Sequence, residues 1–90
     1  MTVWNEPDWE QVPMERLDHP EMGIGDRFVL VVFTKNRGKP TPIKRYGGDP
    51  VCPLYGPQAR RLRTEQRRAG FLTQLFRLSP NGRRVIESDF

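Results

Sequence analysis

The longest apolar run in the chain is Phe28 to Phe33, FVLVVF, six residues with no polar interruption. With its flanks, Arg27 to Thr34 is dense in β-branched and aromatic residues and predicts a strand. Successive strand side chains point to opposite faces, so a run that is apolar at both parities predicts a central strand covered on both sides. Lys35 to Pro40, KNRGKP, reads as a basic connecting loop in which Asn36 or Gly38 can take positive φ. Thr41 to Tyr46, TPIKRY, predicts a shorter returning strand, which Pro42 confines to an edge or a bulge because it has no N–H. Gly47 to Gly56 reads as a loop on composition.

From Gly56 the spacing changes. Ala59, Leu62, Gln66 and Ala69 recur at helical intervals, a narrow and weakly apolar stripe that predicts a helix over Gly56 to Ala69. Pro57 suits the first turn, where its missing N–H would have had no partner, and Gly70 suits the stop. Phe71 to Leu78 then alternates imperfectly and meets Ser79-Pro80-Asn81-Gly82, a turn signature in which proline fixes φ and asparagine and glycine accept the reversal. Arg83 to Phe90 is expected to pair back as the last strand. The competing reading extends the helix through Leu72, Leu75 and Phe76 to Leu78, against about 1 kcal/mol from Gly70. The expected fold is α+β: a small, mostly antiparallel sheet in the order β-β-α-β-β with one basic helix, preceded by an extended arm.

Charge separates arm from body. Residues 1–26 hold seven acids against the single base Arg16, whereas residues 27–90 hold fourteen bases and four acids. Pro7, Pro13 and Pro20 deny the arm a long helix, although Asp8 to Leu17 has room for a turn or two. Trp4, Trp9, Val12 and Met14 are too apolar for a free tail, so docking on the body, or on a partner, is expected. We therefore divide the chain into an acidic arm, 1–25, and one small domain, 26–90.

Composition narrows the classes further. Ninety residues limit the chain to one small core. Nothing approaches the ~20 apolar residues of a membrane span, and the acidic N-terminus has no basic start before an apolar stretch, so neither a membrane nor a secretory signal is expected. A lone cysteine, Cys52, agrees with a reducing compartment and excludes a cysteine-based zinc cluster, which places the expectation in the cytoplasm. No metal or other cofactor is implied. Arginine outnumbers lysine, and guanidinium binds phosphate better than ammonium does, although a base-rich genome gives the same bias.

The candidate chemistry is cationic. Arg60, Arg61, Arg63, Arg67 and Arg68 lie on the helix, five of the fifteen Lys and Arg. Lys35, Arg37, Lys39, Lys44 and Arg45 lie in and after the KNRGKP loop, and Arg83 and Arg84 beside the last turn. Solvated surface explains many charge runs, but recurrence in three nonadjacent segments favours phosphate neutralisation, with Tyr46, Tyr55 and Phe71 available for base stacking. The expected function is a small non-enzymatic nucleic-acid-binding protein, DNA or RNA unresolved. The acidic arm could occupy the same basic face until nucleic acid displaces it. The alternative is a phage- or mobile-element-type interaction module that binds an acidic protein surface through the helix, with Trp4 and Trp9 as anchors.

The segment RRAGFLTQLFRLSPNGRRVIESD resembles the recognition helix and wing of winged-helix DNA-binding domains over about the last third of the chain. Strand-like sequence stands where that family has its two preceding helices, so no base-reading role carries over. The basic helix with its C-terminal hairpin is also similar to small bacterial toxin ribonucleases, whose resemblance would imply RNA cleavage through Arg and Tyr side chains. Enzymatic candidates are otherwise sparse: His19 and Cys52 are far apart in sequence, and Gly47-Gly48 is simply read as a turn. Asp49 and the arm carboxylates lack the paired spacing a magnesium site needs.

Overall fold

The structure is a computed structural model that describes residues 7–18, 25–81 and 83–90. Five strands and one helix follow an N-terminal turn: β1 (Arg27–Asn36), β2 (Lys39–Gly47), β3 (Leu54–Tyr55), α1 (Gly56–Arg68), β4 (Leu72–Leu78) and β5 (Arg84–Ser88). All pairings are antiparallel, in the order β2-β1-β4-β5, with β3 continuing beside the start of β1 where β2 leaves it. This is the expected small α+β architecture. Helix extension beyond Gly70 does not occur, and Leu72, Leu75 and Phe76 lie in β4. As in the winged-helix resemblance a hairpin follows the helix, but strands, not helices, precede it.

β1 is central and six of its residues, Phe28 to Phe33, are buried. One face packs Phe28 and Leu30 with Leu54, Ala59 and Leu75 beneath the helix, and Leu17, Tyr46 and Leu62 close its margin. The other face packs Val29, Val31 and Phe33 with Phe76 and Trp9, flanked by Leu72 and Leu78. The unbroken apolar run thus marks a strand with no solvent face.

The KNRGKP segment is tighter than expected. β1 runs on to Asn36 and β2 starts at Lys39, leaving Arg37 and Gly38, at φ 53 and 78, as a two-residue turn. Both central residues of such a hairpin turn need positive φ, because that twist matches the strands it joins. Arg37, rather than Asn36, takes the left-handed position. Ile43 is the extra residue of a bulge between the pairs Val32–Lys44 and Phe33–Pro42, so Pro42 marks both the edge and the bulge. Gly47, at φ 85, ends β2 so close to β1 that a Cβ there would lie 2.5 Å from the Phe28 carbonyl oxygen.

Two caps delimit α1. At its start the Tyr55 N–H donates to Oε1 of Gln58 at 3.5 Å. At its end the Phe71 N–H donates to the Gln66 carbonyl at 3.0 Å and the Gly70 N–H to that of Arg67 at 3.1 Å, with Gly70 at φ 93. That pair of bonds satisfies carbonyls that would otherwise be orphaned, and only glycine takes this backbone geometry without strain.

The described part of the arm belongs to the same core. Trp9 opens a 3₁₀ turn, is 5% exposed, and meets the Phe76 ring edge-on at 5.1 Å between centroids. The chain then crosses the outer edge of β2. There the Arg45 N–H donates to the Pro13 carbonyl at 2.9 Å, and the Glu15 N–H donates to the Arg45 carbonyl at 2.8 Å. Leu17 lands against the helix-side core. Residues 7–18 are therefore a strap over both faces of the sheet, packed into the same core as residues 26–90 rather than standing apart as an arm.

Candidate nucleic-acid interface

α1 starts where β3 meets Phe28 and ends just before β4, whose Leu72 pairs with Phe33. The helix therefore runs along β1, and its C-terminus reaches the end of the sheet that carries the β1–β2 turn. Arg67 and Arg68 share that end with Arg37 and Lys39, whereas Lys35, two residues on from Phe33, is on the face of β1 away from the helix. Proximity of these two segments follows from topology, because the helix returns the chain to the start of an antiparallel neighbour.

Within the helix, Ala59 is fully buried and Leu62 packs on the core, while the Gln66 Nε2 donates to the Tyr46 hydroxyl at 3.4 Å on the β2 side. Arg60, Arg63 and Arg67 follow one another at helical spacing on the opposite flank, above β4 and β5. Arg67 is committed there: Nε donates to Thr73 Oγ1 at 3.0 Å and Nη2 to the Asp89 carbonyl at 2.8 Å and Ser88 Oγ at 3.4 Å. Arg60, Arg61 and Arg68 are exposed and Arg63 is half-buried. None of these four side chains has a hydrogen bond or ion pair among the described residues.

Beside this face lies a small aromatic and cationic cluster. The Lys44 ammonium sits 5.8 Å from the Tyr46 ring centroid and 5.7 Å from that of Phe71. Register puts Lys44 and Tyr46 on the helix side, opposite Val32 and Leu30. Tyr55 is remote from them, at the start of α1.

Other candidates go elsewhere. Arg45 is internal bonding: besides its backbone contacts with the arm, Nε donates to the Val12 carbonyl at 3.2 Å and Nη1 to the Gly47 carbonyl. Arg84 is on the arm side, paired with Glu10 at 2.9 Å and stacked 4.1 Å from the Trp9 ring centroid. Arg83 is exposed by the β4–β5 turn, at the opposite end of the sheet from Arg37. These three do not join the helix face. Trp9 is a core residue with no surface to offer a partner, and Trp4 and His19 lie outside the described residues. The arm's described acids leave the helix arginines unpaired, with Glu10 engaging Arg84 instead.

Two structural roles escaped sequence reasoning, the Arg45 latch and the Arg67 staple, because nothing in a basic run distinguishes a bonded guanidinium from a free one. Cys52 is a buried free thiol, and the Asp49 carboxylate accepts the Val51 N–H at 2.8 Å as a turn residue. No helix among the described residues is long and apolar enough to cross a membrane. Comparison with models of known protein families, with curated proteins and with solved structures finds no match to this chain.

Proposed function

We propose that this protein binds nucleic acid through the outer face of α1 and the β1–β2 turn. Arg60, Arg61, Arg63 and Arg68 neutralise backbone phosphates, Arg37 and Lys39 extend the contact at the shared end, and Tyr46 and Phe71 beside Lys44 offer stacking surfaces to unpaired bases. One contrast carries the reading. Arg45, Arg67, Arg77 and Arg84 all have partners within the fold, whereas four arginines gathered on one short helix have none among the described residues. A cluster of unpaired guanidinium groups repels itself, and a polyanion relieves that repulsion. On this reading the protein is a non-enzymatic binder acting in the cytoplasm, where Cys52 stays a thiol.

The test is a fluorescence-anisotropy titration with short single- and double-stranded DNA and RNA at two salt concentrations. With four to six phosphates neutralised, affinity should fall about 100- to 1,000-fold between about 50 and about 200 mM salt. Absence of binding to every strand type at the lower salt would overturn the proposal.

A further inference from the structure

The two edges of the sheet are finished differently. On β2 the N–H and C=O of Arg45 point away from β1 and are taken up by the chain's own arm. On β5 no strand lies alongside among the described residues, and Val85 and Ile86 are 43% and 41% exposed. Antiparallel pairs alternate between those that exchange backbone hydrogen bonds and those that do not. The Ser79 N–H donates to the Arg83 carbonyl at 3.0 Å, which fixes the phase. Arg77 and Val85 then form a bonded pair, while the N–H and C=O groups of Arg84 and Ile86 face outward. The same alternation carried through β4 and β1 requires Arg45 to face outward on β2, as its bonds to the arm demonstrate.

We infer that β5 is a self-association edge, at which a second copy of this chain pairs antiparallel about a two-fold axis through Val85. In that register Arg84 stands opposite Ile86 of the second copy, and both residues use their outward-facing groups. Val85 meets its own counterpart on the helix face. Arg83 falls across from Glu87 of the second copy, the bulge residue of β5 whose carboxylate lies 3.8 Å from Arg77 of its own chain, so each Glu87 would sit between two guanidinium groups. Shifting the axis to Ile86 would set Val85 against Glu87 and move Arg83 opposite Asp89, whose carboxylate already accepts from Gln74 Nε2 within its own chain at 3.1 Å. The occupant is a second copy because the strand complements itself in bonding phase, apolar centre and charge.

The consequence is one continuous sheet with both helices on the same side. Each α1 contacts β1 and β4, four strand spacings from its symmetry mate, so the helix axes would stand about 19 Å apart at ~4.8 Å per strand. The Arg60 and Arg63 flanks, being on the β5 side of each helix, would face one another across the axis. The inference rests on the sheet edge alone and does not require the nucleic-acid reading.

Sedimentation equilibrium of the full 90-residue chain provides the test. The mass should rise with concentration from the 10.5 kDa of one chain toward twice that value. Mass that stays at one chain into the millimolar range overturns the inference. Ile86→Pro removes an outward N–H that β4 does not use, so the circular dichroism of the fold should persist while the dimer is lost. A folded Ile86→Pro dimer would place the contact elsewhere and also overturn it. A second variant guards against misfolding: Arg83→Glu, at an exposed residue, should weaken association while the circular dichroism of the fold is unchanged, and undiminished association would remove the proposed register.

Discussion

Arg63 and Arg67 lie one helical turn apart in the same basic run, yet only Arg67 reaches across to β4 and the residues after β5. It bonds Thr73 Oγ1 and the Asp89 carbonyl, tying helix to sheet where the chain ends its last strand. Arg67→Ala should therefore lower unfolding stability by about 1 kcal/mol in urea titration, since its bonds to Thr73 and Asp89 are lost although the side chain is exposed. Arg63→Ala should leave stability within about 0.5 kcal/mol and instead weaken nucleic-acid binding, flattening the salt dependence by about one ion per site. Equal effects of the two changes on both measurements would mean the structure misassigns them. Sequence placed all five helix arginines on one element but could not separate them, because the distinguishing partners are Thr73 and Asp89, which no local pattern ties to Arg67. Trp9 was legible only as too large and apolar to stay in water; which side of the sheet it covers was not.

Among the elements, those with an intrinsic signal were read to within a residue or two. α1 is bounded by Gly56-Pro57 and Gly70, β1 by its uninterrupted apolar run, and the last hairpin by the turn at Pro80-Asn81. β3 was missed because two residues carry no period, and it exists only as pairing with Arg27 and Phe28. The β1–β2 turn is shorter than composition implies, since strand twist, a tertiary preference, puts the left-handed geometry on Arg37. Gly47 shows how closely β2 and β3 are fitted to β1. A methyl group there would lie 2.8 Å from the Leu54 Cβ as well as against the Phe28 carbonyl, at a backbone φ of 85. Gly47→Ala should cost at least about 2 kcal/mol, from left-handed strain plus displacement of the neighbouring backbone. A thermal melt unchanged by the substitution would show that this approach relaxes freely.

For the molecule as a whole, the sheet is a partition with the helix on one side and the strap crossing to the other. Acidic composition made residues 1–25 look separable, but charge describes the solvent side of a segment, and Trp9 and Val12 describe the side that packs. An arm that merely shielded the basic helix could be deleted to reveal a tighter binder. The structure leads to the opposite expectation: a chain lacking residues 1–18 loses Trp9 from its core and the strap from the β2 edge, so it should lose its cooperative melt and expose a binding surface for hydrophobic dyes. Retention of a cooperative melt together with tighter nucleic-acid binding would restore the shielding view. Which basic side chains stay without a partner in the fold was not legible in composition, because Arg45 and Arg84 hold the strap in place.

The Trp9–Phe76 contact also sets a timetable. The two rings are separated by sixty-seven positions, and the second belongs to the fourth strand. During synthesis at ~5–20 residues per second, the indole emerges several seconds before the ring that will cover it has been made. The wait is imposed by topology and no increase in local helix or hairpin propensity can shorten it. The early chain must therefore travel with an uncovered tryptophan among carboxylates, and the acids flanking Trp9, Asp8 and Glu10, keep that stretch hydrated until its partner arrives.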